Sequence, residues 1–337
     1  MQLENQGRNI VVIGASAGGV EALQRLFRSL PSDLPAAFLV VLHIPPYVPS
    51  VLDKVLSLET SMPVIAVVED QPLHASTVYV ASADHHLMLG DEGLRVTRGP
   101  KECRSRPSID VLFRSASVSY ESRVIGVVLT GFLDDGTAGL WAIKDRNGIA
   151  MVQSPSEAAH DSMPKSAITH VETDFVGTLT ELATEITNQV LAPIALEDAQ
   201  PKNERHVIEN GISINGNGLS AGVMTLGEIS NFTCPDCHGA LVQISEGSIL
   251  RFRCHTGHAF SIKTLIAEVN AAIDSGLWDT LRAVEGRIML LRQMGDLAEK
   301  EGKSESAERC RTQAKKAESR LKPLRELVLD PDFFKLE

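Results

Sequence analysis

The sequence predicts an α/β protein with a doubly wound, mainly parallel sheet that includes a β-hairpin, followed by two smaller C-terminal parts. Three observations predict this: apolar runs alternate with helix-like segments in the first half, a Cys/His segment follows, and the C-terminal part is strongly helical. Continuous apolar runs are typical of strands buried on both faces of a parallel sheet. We expect an α/β domain at residues 1–192, a linker at 193–231, a Cys/His segment at 232–260 and a helical hairpin at 261–337.

Composition excludes several classes of protein. The net charge is −11 and the basic residues are scattered, which argues against nucleic-acid binding. No stretch reaches the roughly 20 apolar residues that cross a bilayer, and the polar first nine residues lack the core of a secretory signal. Three of the five cysteines lie in one short segment, which indicates metal ligands in a reducing compartment. We therefore expect a cytoplasmic protein.

The predicted strands and helices of the first half follow one another with short turns between them. Helical spacing of apolar residues predicts helices over residues 20–30 and 138–146. The GDEG turn at residues 90–93 lies between two strand-like runs and predicts the hairpin. The predicted strands cover residues 9–13, 37–42, 64–68, 77–80, 86–90, 94–97, 124–129 and 150–153.

The second half has no comparable alternation. Residues 193–231 lack sustained apolar periodicity and are predicted to be mostly extended or disordered. Apolar residues then recur at helical spacing from residue 265 to 291, and a second helix, rich in Glu and Lys, is predicted from residue 304 to about 321. Because only a short break at Gly302 separates them, the two helices are expected to be antiparallel.

Ser16 is the candidate nucleophile. The residues GASAGG at 14–19 place it between a predicted strand and a predicted helix, where glycines permit a tight turn that exposes the hydroxyl. N–H groups at the start of the helix would favour a developing oxyanion. A glycine-rich turn before a helix can equally bind phosphate, so this segment alone also allows a nucleotide site. The turn lacks the dinucleotide pattern GxGxxG and the chain lacks the Walker pattern GxxxxGK[ST], which favours an esterase.

His43 and two aspartates are the candidates for activating Ser16. A serine hydroxyl needs a base that is itself oriented by an acid. His43 ends an apolar run just before a Pro-Pro turn, which is where α/β sheets place functional groups. Asp134 and Asp135 follow another apolar run, where helix capping or metal binding are the alternative roles. Two adjacent side chains cannot both face one histidine, so at most one of them is the orienting acid.

Four sequence blocks together resemble the catalytic domain of CheB, the protein-glutamate methylesterase of bacterial chemotaxis. They are GASAGG at residues 14–19, LHIPP at 42–46, RPSIDVLF at 106–113 and LTGFLDDG at 129–136. The blocks occur in the family's order, and the resemblance covers roughly residues 9–190.

The resemblance implies a Ser-His-Asp triad: Ser16 as nucleophile, His43 as base and Asp135, the aspartate directly before glycine, as acid. It also implies hydrolysis of glutamyl methyl esters on methylated chemoreceptors to glutamate and methanol, with glutamine deamidation in some members. No cofactor is implied for catalysis. The protein would meet a membrane only through a membrane-bound receptor.

The sequence departs from the family's usual pattern in three ways. Ala17 follows the nucleophile, where threonine is frequent, and Phe132 stands where methionine is frequent. The typical member begins with a receiver domain, whereas this sequence begins at the catalytic strand, so we expect a stand-alone form that is not regulated by phosphorylation in cis. The alternatives are a signalling scaffold or binding module of the same fold in a non-chemotaxis pathway, and a general small-ester hydrolase.

A separate Cys/His pattern predicts a zinc-ribbon-like segment with structural zinc. Its residues, which have the spacing of two metal-binding turns, are Cys234, Cys237, Cys254 and His258. His238 and His255 are alternative nitrogen ligands, and spacing does not choose between them. Free thiols in a small hairpin are the alternative without metal. A redox pair is less favoured, because the Cys-x-x-Cys does not open a helix of a thioredoxin-like sheet.

The C-terminal helices complete the chain. A Cys/His segment followed by helices is similar to the tail of some stand-alone members of the family. The helices would bind a receptor or mediate self-association, and the simpler alternative is a hairpin that packs only on itself and the Cys/His segment.

Overall fold

The computed structural model describes residues 7–194, 203–330 and 332–333. It divides into two compact units, Met1–Thr264 and Leu265–Glu337. The strands in the first half of the first unit are β1 (Ile10–Ala15), β2 (Ala37–Leu42), β3 (Val64–Val67), β4 (Thr77–Ala81), β5 (His86–Gly90), β6 (Gly93–Thr97), β7 (Val124–Val128), β8 (Ile149–Gln153) and β9 (Phe175–Gly177).

Seven of these strands form one parallel sheet in the order β3-β4-β2-β1-β7-β8-β9. This is the mainly parallel α/β sheet that the sequence predicts, and β5 and β6 form the separate antiparallel hairpin. The chain leaves β1 for β2 on one side and later returns to β7 on the other. The strand order therefore reverses between β1 and β7, and the carboxyl edge of the sheet at such a switch point is where α/β proteins bind ligands.

Helices cover both faces of the sheet. They are α1 (Gly19–Ser29), α2 (Leu52–Leu56), α3 (Ile109–Tyr120), α4 (Thr137–Lys144), α5 (Ser162–His170) and α6 (Leu179–Leu191). Val11 and Ile13 of β1 belong to the core on the side of α1 and α6, whereas Ile10 and Val12 belong to the core beneath α3 and α4. Because both faces are buried, β1 reads as an uninterrupted apolar run rather than an alternating one.

The predicted linker region differs from the expectation of an extended or disordered chain. Residues 195–202 lie outside the described residues, but Glu204–Asn215 forms helix α7 and Gly218–Ala221 the short helix α8. The buried face of α7 includes His206, Glu209 and Ser213. Apolar periodicity could not reveal this helix, because much of the face that it buries is polar.

The Cys/His segment belongs to a four-stranded antiparallel sheet, which we call the Cys/His sheet. Its strands, adjacent in chain order, are β10 (Glu228–Thr233), β11 (Ala240–Glu246), β12 (Ile249–Cys254) and β13 (Ala259–Ser261). Gly247, with a φ of 58°, lies in the tight turn between β11 and β12. β13 leads directly into helix α9 (Ile262–Lys300).

The second unit consists of most of α9 together with α10 (Ser304–Val328). Ion pairs join Glu285 to Arg325 and Arg292 to Glu318, so partner numbers fall along α10 as they rise along α9 and the helices are antiparallel. Their shared apolar core includes Ile288, Ala317 and Leu321. None of the helices in the described part of the chain combines the length and the hydrophobicity that a bilayer crossing requires.

Candidate active site

Ser16 lies in the tight turn between β1 and α1, at the switch point of the sheet. Its backbone N–H donates to the Thr130 carbonyl at 2.9 Å, and its own carbonyl accepts from the Gly19 N–H at 2.8 Å. Gly18 has a φ of 76°, and a Cβ there would lie 2.7 Å from the Cβ of Ala159. The glycine is therefore required both by the backbone conformation and by the close approach of the neighbouring loop.

His43 follows β2 and reaches Ser16 from the neighbouring strand. Its backbone N–H donates to the Ala15 carbonyl at 3.1 Å, which fixes the start of the loop against β1. Its Nδ1 lies 3.2 Å from Ser16 Oγ, and its Nε2 lies 2.8 Å from Asp135 Oδ2. Because an ionised carboxylate only accepts hydrogen bonds, Nε2 carries the proton and Nδ1 presents its lone pair to the serine hydroxyl.

Asp135 is held at the N-terminus of α3. It accepts hydrogen bonds from the Ser108 hydroxyl at 3.0 Å and from the backbone N–H groups of Ile109 at 2.8 Å and Asp110 at 3.0 Å. These donors at the start of the helix fix the position of the Asp135 carboxylate. Of the two adjacent aspartates, the structure brings Asp135 to His43. Asp134 instead accepts a hydrogen bond from Ser261 Oγ at 2.7 Å.

Other buried acidic groups surround Asp135. Burial, reinforced by the neighbouring Asp135, raises the pKa of Asp110 well above its usual range. Asp110 also accepts hydrogen bonds from the N–H groups of Gly136 at 3.0 Å and Gly139 at 2.6 Å, which tie it to the loop before α4. Burial likewise raises the pKa of the Cys103 thiol, whose Sγ donates to Asp110 at 3.7 Å. The thiol is accordingly a weak donor within this cluster and not a nucleophile.

His86 and Ser108 are site residues that sequence reasoning missed. His86 is fully buried; its Nδ1 accepts from the Ser108 N–H at 3.2 Å and its Nε2 donates to the Pro100 carbonyl at 2.9 Å. Burial lowers the pKa of His86 to about 4, so the ring is neutral near pH 7. The available signal was Ser108 itself, a helix-capping residue type directly before α3.

Arg106 has partners within the protein. Its guanidinium pairs with Asp84, with Nη2 at 2.6 Å and Nε at 2.9 Å from Oδ1, and Nη1 donates to the Gly99 carbonyl at 2.8 Å. Arg106 therefore links the chain segments that contain Asp84 and Gly99, both of which precede α3.

Two loops at this edge of the sheet leave large side chains in water. Tyr47, in the loop after His43, is 95% exposed, and Phe132, in the loop before Asp135, is 57% exposed. Phe132 also contacts the ring of His160, with 4.1 Å between ring centroids. The His43 side chain itself retains 17% of its exposure. The candidate site is thus reached from an open surface with apolar residues beside it.

The Cys/His sheet brings a second group of predicted residues together. The Sγ of Cys237 lies 3.6 Å from that of Cys254, and His258 Nδ1 lies 3.6 Å from Cys254 Sγ and 3.7 Å from Cys234 Sγ. The four ligand atoms all lie within 4.8 Å of one another. The Thr256 hydroxyl contacts three of these ligand atoms, at 2.9 to 3.3 Å.

The two alternative histidines lie outside this group. The N–H of His238 donates to the Cys234 carbonyl at 2.8 Å, so His238 shapes the turn. His255 packs against Gly239, where a Cβ would lie 2.2 Å from the imidazole ring. Among the described residues, the nitrogen that completes the group is that of His258.

Comparisons with known proteins agree with the fold and with the sequence blocks. The model of the CheB methylesterase family matches residues 11–186. Two proteins named protein-glutamate methylesterase/protein-glutamine glutaminase 2 are similar over 187 residues. The one from Methanosarcina mazei is 37% identical (53% of this chain, 51% of that protein), and the one from Methanosarcina acetivorans is 39% identical (53% and 52%).

A solved structure is similar to the same part of the chain. The crystal structure of the Thermotoga maritima CheB methylesterase catalytic domain has a TM-score of 0.52 and 29% sequence identity, and the match covers 53% of this chain and 97% of that one. The chain spans about half the length of the curated relatives it matches. With the family match extending over half of its residues, the chain belongs to the CheB methylesterase family.

Proposed function

We propose that this protein is a protein-glutamate methylesterase that hydrolyses glutamyl methyl esters of chemoreceptors to glutamate and methanol. Glutamine deamidation is a second activity of the same site. The observation that carries the proposal is the hydrogen-bonded series from Ser16 Oγ through His43 to Asp135 at the switch point of the sheet. The names of the two Methanosarcina relatives include both reactions.

The chemistry follows the order of these contacts. His43 Nδ1 removes the proton of the Ser16 hydroxyl as Oγ attacks the ester carbonyl, and Asp135 stabilises the imidazolium that forms. Collapse of the tetrahedral intermediate breaks the bond to the methoxy oxygen, which takes the proton from His43 and leaves as methanol. Water, activated in turn by His43, then attacks the acyl-enzyme, releases glutamate and restores the Ser16 hydroxyl.

The N-terminus of α1 is the proposed oxyanion site. The turn directly after Ser16 leads into α1, whose first N–H groups point toward this end of the helix. Backbone donors and the positive helix end stabilise the negative charge that develops on the carbonyl oxygen. Because Ala17 has no hydroxyl, stabilisation here relies on backbone groups.

A protein is the substrate class that the surroundings of the site favour. A side chain that carries a methyl ester on a receptor helix has to reach Ser16 while the helix stays outside. The open surface with the exposed Tyr47 and Phe132 provides apolar contacts for such a helix. We propose that the membrane is met only through the receptor, and that the protein works in the cytoplasm, where its cysteines stay reduced.

The test is methanol release from methylated chemoreceptor signalling domains. We expect release by the wild type and none above background by Ser16→Ala. The matched control is Ser29→Ala, since Ser29 lies at the other end of α1 with an exposed hydroxyl bonded to the Arg25 carbonyl, and it should keep full activity. No release by folded wild type would contradict the proposal and favour a scaffold. Faster turnover of small aryl esters than of receptors would favour a general esterase.

We also propose that Cys234, Cys237, Cys254 and His258 hold a structural zinc ion. A tetrahedral zinc with Zn–S bonds of about 2.3 Å places its sulfur ligands about 3.8 Å apart, close to the 3.6 Å between Cys237 and Cys254. Three sulfurs and one imidazole are a ligand set that zinc prefers. The ion would cross-link the two turns of the Cys/His sheet and would take no part in ester hydrolysis.

Metal analysis and thermal unfolding test the zinc proposal. Protein purified without added metal should contain one zinc per chain, and Cys237→Ser should lose it and melt at a lower temperature. Cys310→Ser is the matched control, because Cys310 lies in α10, and it should retain both the zinc and the melting temperature. Native protein without zinc, whose melting temperature does not rise on zinc addition, would contradict the proposal.

Self-association through α9 is the remaining part of the proposal. Its support is a set of exposed apolar side chains on that helix, among them Leu290, Met294 and Leu297. Their spacing of four and three residues places them on one face. Light scattering after size exclusion should show an oligomer that Leu290→Glu disrupts, and a monomeric wild type would contradict this part.

A further inference from the structure

We propose that Ser261, at the end of the last strand of the Cys/His sheet, is a positioning residue for the loop that carries Asp135. The inference rests on the proposed function, because it assigns Asp135 to the triad. The Cys/His sheet would then support the catalytic residues of the proposed esterase. Four observations carry the inference.

The first observation is the pairing of β13 with the segment that precedes α3. The Cys103 N–H donates to the Ala259 carbonyl at 2.9 Å, and the Ala259 N–H donates to the Lys101 carbonyl at 3.2 Å. Residues 101–103 lead through Ser108 to the start of α3, where Asp135 is bound. The Cys/His sheet therefore extends to the backbone that holds one side of Asp135.

The second observation is a direct contact with the loop itself. Ser261 Oγ donates to Asp134 Oδ1 at 2.7 Å, and both residues are buried, with exposures of 8% and 9%. Asp134 is the immediate neighbour of Asp135. A buried hydrogen bond to a carboxylate is short and strong, so it restrains the position of the Asp134 backbone as well as that of its side chain.

The third observation is strain in the loop that this contact holds. Leu133, which precedes Asp134, has a φ of 61°. A non-glycine residue rarely adopts this backbone conformation, and it persists only when neighbouring contacts impose it. One such contact is the hydrogen bond from Ser162 Oγ to the Leu133 carbonyl at 3.0 Å, and the bond from Ser261 to Asp134 is another.

The fourth observation is a pair of hydrogen bonds that fix the position of Ser261. Its N–H donates to Thr264 Oγ1 at 2.7 Å and its Oγ accepts from the Thr264 N–H at 3.1 Å, which orients the hydroxyl proton toward Asp134. Next to β13, Arg253 of β12 is fully buried, and it pairs with Glu102 at 2.9 Å and with Glu209 at 2.8 Å.

The two glutamates that pair with Arg253 also pair with an arginine of α3. Arg114 of α3 binds Glu102 through two hydrogen bonds, at 2.9 and 3.1 Å, and lies 3.9 Å from Glu209. Glu102 thus links β12 to the helix whose N-terminus binds Asp135. The Cys/His sheet carries Ser261, and the N-terminus of α3 binds Asp135. These ion pairs consequently hold the sheet and the helix in a fixed position relative to each other.

The expected consequence is a loss of turnover with little change in substrate binding. Without the Ser261 hydroxyl, Asp134 is left buried without its donor, and the strained loop relaxes. Asp135 then holds His43 less well, so the attack of Ser16 slows. A displacement of about 1 Å in such a group can reduce the rate about 100-fold, and we expect Ser16 to react 10- to 100-fold more slowly.

The experiment measures how fast a fluorophosphonate labels Ser16, which reports nucleophile activation without any receptor. The variants are Ser261→Ala, Asp134→Ala and the double variant. Ser261→Thr keeps the hydroxyl and should label at near the wild-type rate. Ser245→Ala is the matched control, since Ser245 is exposed on β11 of the same sheet. Melting temperatures are recorded for each variant.

The inference expects both single variants to label 10- to 100-fold more slowly while they remain folded at the assay temperature. The double variant should be no slower than the slower single variant, because both changes break one interaction. Wild-type labelling of Ser261→Ala, or effects that multiply in the double variant, would overturn the inference while leaving the triad intact. Wild type that labels no faster than Ser16→Ala would instead overturn the proposed function.

Discussion

At the scale of single residues, the neighbouring carboxylates of Asp134 and Asp135 have different contacts. Asp135 faces His43 and takes its hydrogen bonds from the start of α3, whereas Asp134 faces Ser261 and lies away from the imidazole. Burial raises the pKa of Asp134, partly offset by the hydrogen bond from Ser261. In the proposed mechanism, the same side-chain type orients a base at one position and anchors a loop at the next.

Replacing Asp135 by asparagine tests the orienting role. The amide keeps the shape of the carboxylate but would allow the wrong imidazole tautomer and could not stabilise the imidazolium. We expect kcat to fall by roughly 1,000- to 10,000-fold, in line with serine-hydrolase triads. Asp134→Asn keeps an acceptor for Ser261 and should cost less than tenfold. Methanol release with similar losses in the two variants would contradict the assignment of Asp135.

His86 predicts a pH dependence of stability. The unfolded chain takes up a proton at His86 near pH 6.5, whereas in the folded protein its pKa is lowered to about 4 by burial. Between these values only the unfolded state gains the proton, so the free energy of unfolding falls as pH decreases from about 6.5 to about 4. The loss attributable to this group is roughly 3 kcal/mol.

Urea unfolding of wild type and His86→Gln between pH 4.5 and 7 measures this effect. Glutamine does not titrate, so the variant should show a shallower decrease in stability toward acid pH. It should also be less stable than wild type at pH 7, because it cannot reproduce both ring hydrogen bonds. Parallel curves for the two proteins would rule out His86 as the source.

At the scale of elements, the carboxyl ends of β1, β2 and β7 set the geometry of the site. Gly131, just past β7, lies directly against Ser16: a Cβ there would be 2.8 Å from Ser16 Cβ and 2.1 Å from Met163 Sδ. The loops can approach this closely only because position 131 has no side chain.

Gly131→Ala should therefore both destabilise the protein and displace Ser16. We expect about 1–3 kcal/mol less stability, measured by urea unfolding, together with a large loss of methanol release. Gly211→Ala is the matched control: Gly211 lies inside α7, and a Cβ there would meet only Ala221, at 4.0 Å. That change should be neutral or add up to about 1 kcal/mol. A fully active Gly131→Ala variant would show that the approach to Ser16 is not needed.

Several elements with apolar patterns could be read from the sequence, whereas two helices with polar residues on their buried faces could not. The prediction for β2, residues 37–42, matches the observed Ala37–Leu42, and the predicted helix at 20–30 is shifted by one residue from Gly19–Ser29. The elements that were missed include α2, α3, α5, α6, α7, α8 and β9. α3 is buried nearly all round and includes Asp110 and Arg114, so it has no clear apolar stripe, and α7 buries charged residues against partners distant in the chain.

At the scale of the whole molecule, the first unit is held together by buried charges as well as by its apolar core. Glu209 of α7 accepts hydrogen bonds from Arg251 at 2.7 Å and from Arg253 at 2.8 Å. Burial acts to raise the pKa of Glu209, but the three surrounding arginines, Arg114 among them, outweigh it and hold the pKa well below its usual range. The carboxylate is thus required to balance cations that water cannot reach.

Glu209→Gln should destabilise the protein strongly, because it leaves buried arginines without their anion. The expected cost is about 3–5 kcal/mol in urea unfolding. Glu228→Gln, which removes an exposed carboxylate from β10, should change stability by less than about 0.5 kcal/mol. A Glu209→Gln variant as stable as this control would mean that the buried pairs do not hold the unit together.

The candidate site was predictable from the sequence to the extent that its residues end strands or follow a motif. Ser16, His43 and Asp135 each lie beside a glycine or proline turn, and family resemblance chose between the two aspartates. The supporting roles of His86 and Ser261 were not predictable, because both residues act through contacts between distant parts of the chain. Sequence spacing carries no information about such contacts.

The distribution of the buried charges along the chain has a consequence for synthesis on the ribosome. Glu102 and Arg114 emerge early, but Glu209, Arg253 and Ser261 follow long after Ser16 and His43, the proposed nucleophile and base. N-terminal parts of a chain fold first during translation. A nascent chain that has already folded β1 to β9 would still lack the support of its Asp135 loop. The proposed esterase activity would therefore reach its full rate only late in translation, when the Cys/His sheet has joined the fold.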